Sequence, residues 1–417
     1  MSTSLLPIMS LSYLFQFLDK SALGYTAIMG LTTDLSMTGS QYSWSSGIYY
    51  FGYLVASYPV AWLLVRLPVG KTIAISVYVN PATGYTLLPL THHSLIWGAI
   101  LMLTSTCFNA RGLLAIRFFL GVAEAAIGPG LTVIVAMWYK RSEQPLRHGA
   151  WFMGNVIAGI FGGLLAYGVG HVQSIAPWKV SILFTVLSNE SLIVSKAVFL
   201  VFGALTVTWS FFIYFFLPDT PANARFLSKE DRGKAIDRVR ENMTGIRSDT
   251  WKWSQSVEAL TDIKIWLLVA IQLSQNIANG GVHGVSLCHL LQDTSTDVSQ
   301  FGSIVIEGFG FSTLNTLLVQ MISVAFQAVF VIVGTVGSTY LKNARTYFMA
   351  FNLAVSLVGS VMVRQLDPTS IWPRFFGYCL CIAYSANFPL VLSMSSSNIG
   401  GFTKKNTVNA MVSPNEA

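Results

Sequence analysis

The sequence predicts an all-α polytopic membrane protein, and its composition and hydropathy carry that prediction. Of the 417 residues, 53% are apolar and only 10% are charged, against about 25% charged in soluble proteins. The mean hydropathy is +0.58. Apolar windows of about 20 residues, long enough to cross a bilayer as a helix, recur along the chain. A soluble globule could not bury this much apolar surface, so we interpret the windows as membrane spans.

Ten predicted spans lie on either side of a polar central stretch. They are 6–30, 45–65, a third that starts at Thr72 and resumes over 95–108, then 113–139, 149–170, 197–217, 263–281, 313–336, 346–363 and 371–394. We therefore expect an N-terminal six-helix bundle over 1–217, a central loop over 218–262, and an incomplete C-terminal bundle with a polar tail over 263–417.

The basic residues predict the orientation of these spans. Most of the 25 lysines and arginines fall in connections on the same side as the central loop. The positive-inside rule then places the N-terminus, the central loop and the C-terminal tail in the cytosol. Within the central loop, 228–242 is predicted to form an amphipathic surface helix, with Ser228 as its N-cap.

Two charged residues, Asp19 and Lys20, lie in the middle of the first apolar run, 5–31. An ion at the centre of a membrane helix costs roughly 2.5–3.5 kcal/mol on insertion scales. Such residues persist where they face a protein interior or a water-filled cavity. We interpret the pair as part of a solute or ion pathway; a structural buried ion pair is the alternative.

The fourth span presents a second charged face, formed by Arg117, Gly121, Glu124 and Gly128 at 100° per residue. Arg117 and Glu124 are two helical turns apart, about 10 Å along the axis, so partners from other helices must join them. The sequence Gly-Pro-Gly at 128–130 is expected to weaken the helix and free carbonyl groups. We favour a coupling-ion or substrate surface over a packing face with one buried ion pair.

In the first span, Lys20 shares a face with Tyr13 and Gln16, whereas Asp19 points about 100° away. The two charges therefore need separate partners. Lys20 is the candidate for binding a substrate anion. A carboxylate in a dry site can be neutralised by a proton, which suits Glu124, and after it Asp19, to carry one.

Three further spans carry polar stripes, which indicate either interhelical hydrogen bonds or a shared polar cavity. We favour the cavity because the stripes occur together. The stripes are Gln272, Gln275, Asn276 and Asn279 in the seventh span, Gln320, Ser323 and Gln327 in the eighth, and Tyr384, Asn387, Ser395 and Asn398 in the tenth. The substrate-binding candidates among them are Gln275, Asn276, Asn279, Tyr384 and Asn387. The glycines of the fifth span predict close helix packing.

Other function classes lack support in the sequence. The net charge of +7 comes from short basic loops and does not indicate nucleic-acid binding. The six histidines lack the spacing of metal ligands, and the motifs H-E-x-x-H and G-x-S-x-G are missing. We therefore expect no enzyme activity, no metal and no cofactor.

Several segments resemble the major facilitator superfamily, and more closely its fungal anion:cation symporter branch of the allantoate-permease type. They are FQFLDKSALGYTAIMGLTTDL (15–35), GSQYSWSSGIYYFGYLVASYP (39–59), IRFFLGVAEAAIGPG (116–130), FLPDTPANARFLSKEDR (216–232), EGFGFSTLNTLLVQM (307–321) and NIGGFTKKNTVNAM (398–411). RLPVGK (66–71) stands where the family carries its G-x-x-x-D-R-x-G-R loop signature, with Arg66, Gly70 and Lys71 matching.

The resemblance implies the major facilitator fold of two helical bundles. It implies a monomeric, proton-coupled secondary active transporter in the plasma membrane, which imports a small organic anion by alternating access. Solutes of the allantoate, nicotinate, pantothenate or small-peptide type are candidates, with protons and the lipid bilayer as the other partners. The family links the arginine at the position of Arg117 to proton coupling, whereas the glutamate at Glu124 is a feature of the branch.

The chain also departs from the family pattern. Three stretches, about 80–95, 180–195 and 283–299, interrupt otherwise good matches, and about ten of twelve expected spans are found. We interpret the stretches as retained introns followed by a premature stop, which predicts an apparently truncated fold. The alternative function is therefore a non-transporting protein, either a sensor or an inactive truncated permease.

Overall fold

The computed structural model describes residues 2–27, 31–37, 39–67, 69, 93–170, 191–218, 220–224, 226–240, 242, 250–275, 313–367 and 369–412. Within these ranges every regular element is a helix. The helices before the central loop are α1 (Ser2–Thr26), α2 (Gly39–Arg66), α3 (His93–Thr104), α4 (Ala110–Glu124), α5 (Ile127–Trp138), α6 (Gln144–Gly170) and α7 (Ser191–Phe216).

The central loop contributes α8 (Lys229–Arg240) and α9 (Trp253–Thr261). After it come α10 (Ile263–Gln275), α11 (Thr313–Tyr340), α12 (Arg345–Gln365), α13 (Ile371–Cys381), α14 (Asn387–Asn398) and α15 (Phe402–Val412). Each of the ten predicted spans contains a described helix. Seven helical segments of the described chain are long and apolar enough to cross a bilayer, judged by length and composition.

The fourth span is divided, as the Gly-Pro-Gly sequence predicts. Helix α4 ends at Glu124 and α5 begins at Ile127. Proline has no backbone N–H, so Pro129 cannot bond the carbonyl of Ala125 four residues earlier. The α-helical ladder resumes with the bond from Gly130 N to Ala126 O, 3.0 Å. The break therefore lies immediately after the buried carboxylate of Glu124.

The tenth span is also divided, which corrects the expectation of one continuous helix. A 3₁₀ turn, Ile382–Ala386, separates α13 from α14. Pro389 in the first turn of α14 deprives the carbonyl of Ser385 of its α-helical donor. Tyr384 lies in this turn, so the predicted stripe of Tyr384, Asn387, Ser395 and Asn398 does not follow one helical face.

Glycines bring the helices of the first part of the chain into close contact. A Cβ atom at Gly52 of α2 would lie 2.1 Å from Phe118 O of α4, and one at Gly121 of α4 would lie 1.9 Å from Tyr49 O. These two glycines therefore fix the distance between α2 and α4. Helix α3 packs against α7, and α1 packs against α6 and α7.

Helix α6 is packed on both sides, which confirms the close packing predicted from its glycines. A Cβ at Gly154 would lie 2.0 Å from Ser10 O of α1. A Cβ at Gly159 would lie 2.8 Å from Val324 Cγ2 of α11. Helix α14 also packs on α6. Helix α6 thus joins the part of the chain before the central loop to the part after it.

The predicted surface helix of the central loop is confirmed as α8. The Oγ of Ser228 accepts a hydrogen bond from Asp231 N at 3.1 Å, which caps the helix as predicted. Ala235 is the buried residue of this helix, as expected for a helix lying on a surface. The following helix, α9, packs against α15.

Residues 395–412 of the segment predicted as a polar tail are folded. Ser395–Asn398 still belongs to α14, and α15 packs on α2, α9 and α14. Lys404 Nζ contacts Glu258 Oε1 at 2.8 Å and Asp262 Oδ2 at 3.0 Å. The hydrogen bond from Lys404 holds the pKa of Asp262 below its usual value. The prediction of a polar tail was based on composition alone. Composition does not show that α15 packs against other helices.

Candidate functional site

Five residues of α1, α2 and α4 form a buried group that we call the charged cluster: Asp19, Lys20, Tyr49, Arg117 and Glu124. Asp19 and Glu124 are fully buried, and Arg117 is 3% exposed. Lys20 is partly exposed. The cluster holds two cations and two carboxyl groups, which balance when all four are charged.

Tyr49 joins the two charged residues of α4. Its hydroxyl donates to Glu124 Oε2 at 2.6 Å, and its ring centroid lies 5.6 Å from Arg117 Cζ. The close approach of α2 to α4 at Gly52 and Gly121 brings the Tyr49 side chain into this position. Arg117 and Glu124 thus share one face and a partner from a neighbouring helix, as their spacing predicts.

Lys20 and Asp19 have separate neighbours, as the helical geometry predicts. Lys20 Nζ lies 5.6 Å from the ring centroid of Tyr49 and 6.0 Å from that of Tyr53. An ammonium group within about 6 Å of an aromatic face is attracted to the ring. Asp19 instead accepts a hydrogen bond from Thr206 of α7, 3.2 Å from its Oδ2. The cluster therefore connects α1, α2, α4 and α7.

Several polar atoms of the charged cluster and of Gln16, one turn before Lys20 on α1, are buried and have no hydrogen-bond partner within 3.5 Å in the described part of the chain. They are both polar atoms of the Gln16 amide, Glu124 Oε1, Asp19 Oδ1, and Nε and Nη1 of Arg117. Buried polar groups are nearly always bonded in stable proteins. Such a concentration of free donors and acceptors is typical of a site that binds a polar ligand or exchanges protons.

Tyr13 belongs to an aromatic group between α1, α6 and α14. Its ring lies 4.7 Å from the Trp151 ring and 5.6 Å from the Phe152 ring, measured between centroids. Phe152 in turn lies 5.4 Å from Phe388 of α14. The structure thus places Tyr13 where helices from before and after the central loop meet, two helical turns from Lys20.

The predicted substrate-binding residues after the central loop differ from one another in their surroundings. Gln275 is buried, and its Nε2 lacks a hydrogen-bond partner among the described residues. Asn276 and Asn279 lie outside the described residues. Asn387 accepts from Asn352 Nδ2 at 2.9 Å and donates to Met349 O at 3.1 Å. The Asn387 amide therefore holds α14 against α12. For this residue the structure favours the alternative interpretation of the polar stripe, in which its members form interhelical hydrogen bonds.

The predicted loop signature is described in part. Arg66 ends α2, and its guanidinium carbon lies 4.4 Å from the ring centroid of Trp62. Gly70 and Lys71 lie outside the described residues.

A second group of polar contacts links α6 to α14 at the end of the molecule where the central loop leaves, which we call the loop end. Ser396 Oγ donates to Gln144 Oε1 at 2.7 Å and lies 3.3 Å from His148 Nε2. Arg141 donates to Asn398 Oδ1. At the loop end, the parts of the chain before and after the central loop are therefore directly bonded.

The sequence prediction did not include Tyr49 and Thr206, because both are uncharged and lie outside the polar stripes that it identified. A signal for Tyr49 exists: Tyr42, Tyr49 and Tyr53 recur at a spacing of seven and four residues on α2, which places them on one helical face. All three are buried. Thr206 has no comparable signal, since an isolated threonine in an apolar helix is common.

Residues 9–413 match the Major Facilitator Superfamily. An uncharacterized transporter of Schizosaccharomyces pombe is 34% identical over 407 residues, covering 97% of this chain and 67% of that protein. The allantoate permease of Saccharomyces cerevisiae is 30% identical over 418 residues, covering 97% and 68%. The chain thus spans about two thirds of the length of these relatives.

Solved structures show the same fold. The crystal structure of a bacterial homologue of the human lysosomal transporter Spinster superposes with a TM-score of 0.63 at 14% identity, covering 99% of this chain and 78% of that one. The helical fold of the described residues and the superfamily match agree with one another. The chain belongs to the Major Facilitator Superfamily, as a multi-pass membrane transporter of the allantoate-permease type.

Proposed function

We propose that this transporter imports a small organic anion together with protons, and that the charged cluster is the coupling site. The observation that carries the proposal is the charged cluster itself: Arg117, Glu124 and Asp19 are buried, Lys20 is partly exposed, and Tyr49 joins Lys20, Arg117 and Glu124. Ionisable groups at membrane depth mark solute or proton pathways by default.

Charge balance explains why anion and proton would move together. The cluster is neutral when Asp19, Lys20, Arg117 and Glu124 are all ionised. A monovalent anion bound to it adds one negative charge, which is costly where the dielectric constant is low. A proton taken up by a carboxyl group removes that charge again. Each anion therefore favours the uptake of one proton, and each proton favours the anion.

The surroundings of each residue support a division of roles. Lys20 is the partly exposed cation, so it binds the anion, with Gln16 and Tyr13 on the same helical face. Glu124 carries the proton because its buried Oε1 has no hydrogen-bond partner within 3.5 Å among the described residues, while the Tyr49 hydroxyl donates to its Oε2. Asp19 is the second candidate for that role. Arg117 stabilises the ionised carboxylate between proton transfers.

In alternating access, the bundle 1–217 would move against the bundle 263–417, and the central loop 218–262 would link them. The connection that contains Arg66, Gly70 and Lys71 would change conformation during this movement. Gln275, Asn276, Asn279 and Tyr384 would contact the solute from the second bundle, and Asn387 would support them through its bonds to α12. Substrate sites in such transporters lie near the midplane, between the two halves.

The relative named allantoate permease supports a solute of that type, which includes allantoate, nicotinate, pantothenate and small peptides. The test is uptake of these compounds, radiolabelled, in a permease-deficient yeast at two external pH values. We expect accumulation of one of them, greater at the lower pH. If the chain reaches the membrane and accumulates none of them at either pH, the non-transporting alternative is correct.

Glu124→Gln tests the coupling. The amide keeps the shape of the side chain but cannot take up a proton, so we expect the solute to equilibrate without accumulating, equally at both pH values. The control is Glu230→Gln, which removes a carboxylate that is 79% exposed on α8. Wild-type accumulation by Glu124→Gln would show that Glu124 does not carry the proton.

A further inference from the structure

A cleft at the loop end has no role in the proposed transport step. It has a volume of about 630 Å³, within the range of about 300–1,000 Å³ typical of small-molecule sites. It lies between the α5–α6 connection and the α11–α12 connection and shares no residue with the charged cluster. Its described lining includes Lys140, Arg141, Ser142, Asn242, Lys342, Asn343, Arg345 and Asn398.

Four cations line this cleft, and its described lining contains no acidic residue. Lys140 and Arg141 come from one connection, whereas Lys342 and Arg345 come from the other, some 200 residues later in the chain. Asn343 has a φ of 59°, which turns the chain sharply between α11 and α12 so that both later cations reach the cleft. Arg345 Nη2 lies 3.2 Å from Arg141 O, so the two groups of cations are adjacent.

The positive-inside tendency accounts for basic residues at this end of the molecule. It does not account for their convergence, because lysines and arginines repel one another. The two arginines are held in place by neutral acceptors: Arg141 donates to Asn398 Oδ1, and Arg345 donates to Ser397 Oγ and to the carbonyls of Ser393 and Arg141. Arg238 shows the usual arrangement, since it is paired with Glu143. The four cations of the cleft are brought together without such a carboxylate in the described lining.

A second feature of the cleft also favours a negative charge. Helix α12 has 21 residues, begins at Arg345, and has Ala344 as an N-cap that makes no side-chain bond. The first backbone N–H groups of a helix need acceptors, and the positive end of its dipole attracts anions. The dipole of α12 opposes a cation at this position. Neutral oxygens of Ser393, Ser397 and Arg141 accept from the Arg345 guanidinium, so its positive charge is hydrogen-bonded but not balanced by a negative one within the described lining.

We propose that the cleft binds a phosphorylated anion, carried either by a soluble phosphate compound or by the headgroup of a lipid. One carboxylate would leave most of the positive charge uncompensated, whereas phosphate groups carry up to two charges each and match arginine in a bidentate geometry. Because both connections supply cations, the bound anion stabilises the conformation in which they lie together.

The test uses the full-length chain, purified and reconstituted in phosphatidylcholine nanodiscs. Inorganic pyrophosphate is titrated into one sample, and a second sample contains a few mole per cent of phosphatidylinositol 4-phosphate. Binding is followed by isothermal titration or by the thermal unfolding midpoint. We expect at least one probe to bind saturably and to raise the midpoint. Pyrophosphate binding identifies a soluble ligand, and stabilisation by the lipid alone identifies a headgroup.

The variant is Lys140→Gln with Lys342→Gln. Each lost charge-assisted contact weakens binding by about tenfold. The control, Lys229→Gln with Lys234→Gln, removes the same charge from α8 at the same end of the molecule. The single variant Lys342→Gln changes an exposed residue, so folding is preserved and the dissociation constant is still expected to rise about tenfold. Equal weakening in the cleft and control variants, or no binding of either probe, overturns the proposal.

Discussion

The hydroxyl of Tyr49 donates a hydrogen bond to the carboxylate of Glu124, 2.6 Å from its Oε2. A hydrogen bond to a charged group contributes about 1.5–3 kcal/mol. Tyr49→Phe removes this bond but keeps the ring near Lys20 and Arg117. We expect the pH of half-maximal uptake to rise by about one unit, because the lost bond favoured the ionised carboxylate. The measurement is radiolabelled uptake across an external pH series.

Tyr50→Phe is the matched control for this prediction. Tyr50 is the next residue on α2, and its ring lies 5.0 Å from the Tyr49 ring. Tyr50→Phe removes a neighbouring tyrosine hydroxyl and keeps the ring, without removing the donor to Glu124. A pH profile that moves equally in both variants, or in neither, would show that the Tyr49 hydroxyl does not set the proton affinity of the site.

At the residue scale, the sequence predicts the charged members of the cluster but not the groups that join them. Arg117 and Glu124 stand out because charges are costly at membrane depth. Tyr49 bonds Glu124 because α2 and α4 approach each other at two glycines. That distance depends on the packing of two helices, and a span-by-span analysis of polarity does not include it.

The contact between α2 and α4 depends on Gly52, where a Cβ would lie 2.1 Å from Phe118 O. Gly52→Ala therefore forces two backbones apart, and overpacking of this kind costs about 1–3 kcal/mol. We expect a lower thermal unfolding midpoint for the purified protein. Uptake should also fall, because α2 carries Tyr49 one turn away.

Gly47→Ala on the same helix is the control. A Cβ at Gly47 would meet nothing within 4 Å. Alanine is favoured over glycine inside a helix by about 0.5–1 kcal/mol, so we expect an unchanged or higher midpoint. If the two substitutions lowered the midpoint equally, glycine would be needed for flexibility rather than for close approach.

At the scale of elements, apolar windows of about 20 residues predicted where the helices lie, and proline explains where they break. The division after Glu124 was predicted from Gly128-Pro129-Gly130. The division at Ile382–Ala386 was not predicted. Pro389 leaves the carbonyl of Ser385 without its α-helical donor, as Pro129 does for Ala125, but no glycines flank Pro389 to indicate a break. The folding of α15 was missed because its burial depends on α2 and α9, which are distant in sequence.

At the scale of the whole molecule, the proposed alternating access requires the contacts at the loop end to break when that end opens. Ser396 of α14 bonds Gln144 of α6, so this bond exists only while the two helices lie together. Ser396→Ala leaves the buried Gln144 Oε1 without its donor, which costs about 1–3 kcal/mol. The cost falls on the conformation that is closed at the loop end. We therefore expect the ratio of the open to the closed conformation to rise at least about fivefold.

A cysteine in place of Thr335 measures this shift, because Thr335 of α11 is 2% exposed and faces Gly149 of α6. In a background without the four native cysteines, we expect Ser396→Ala to increase the labelling rate of this cysteine by a membrane-permeant thiol reagent. Ser395→Ala is the control: Ser395 is equally buried, but its hydroxyl bonds Asn409 of α15 instead of α6. Its removal spares the bond between α6 and α14, so labelling should stay at the reference rate. Equal acceleration by both variants would mean that local loosening of α14, and not the opening of the loop end, exposes the label.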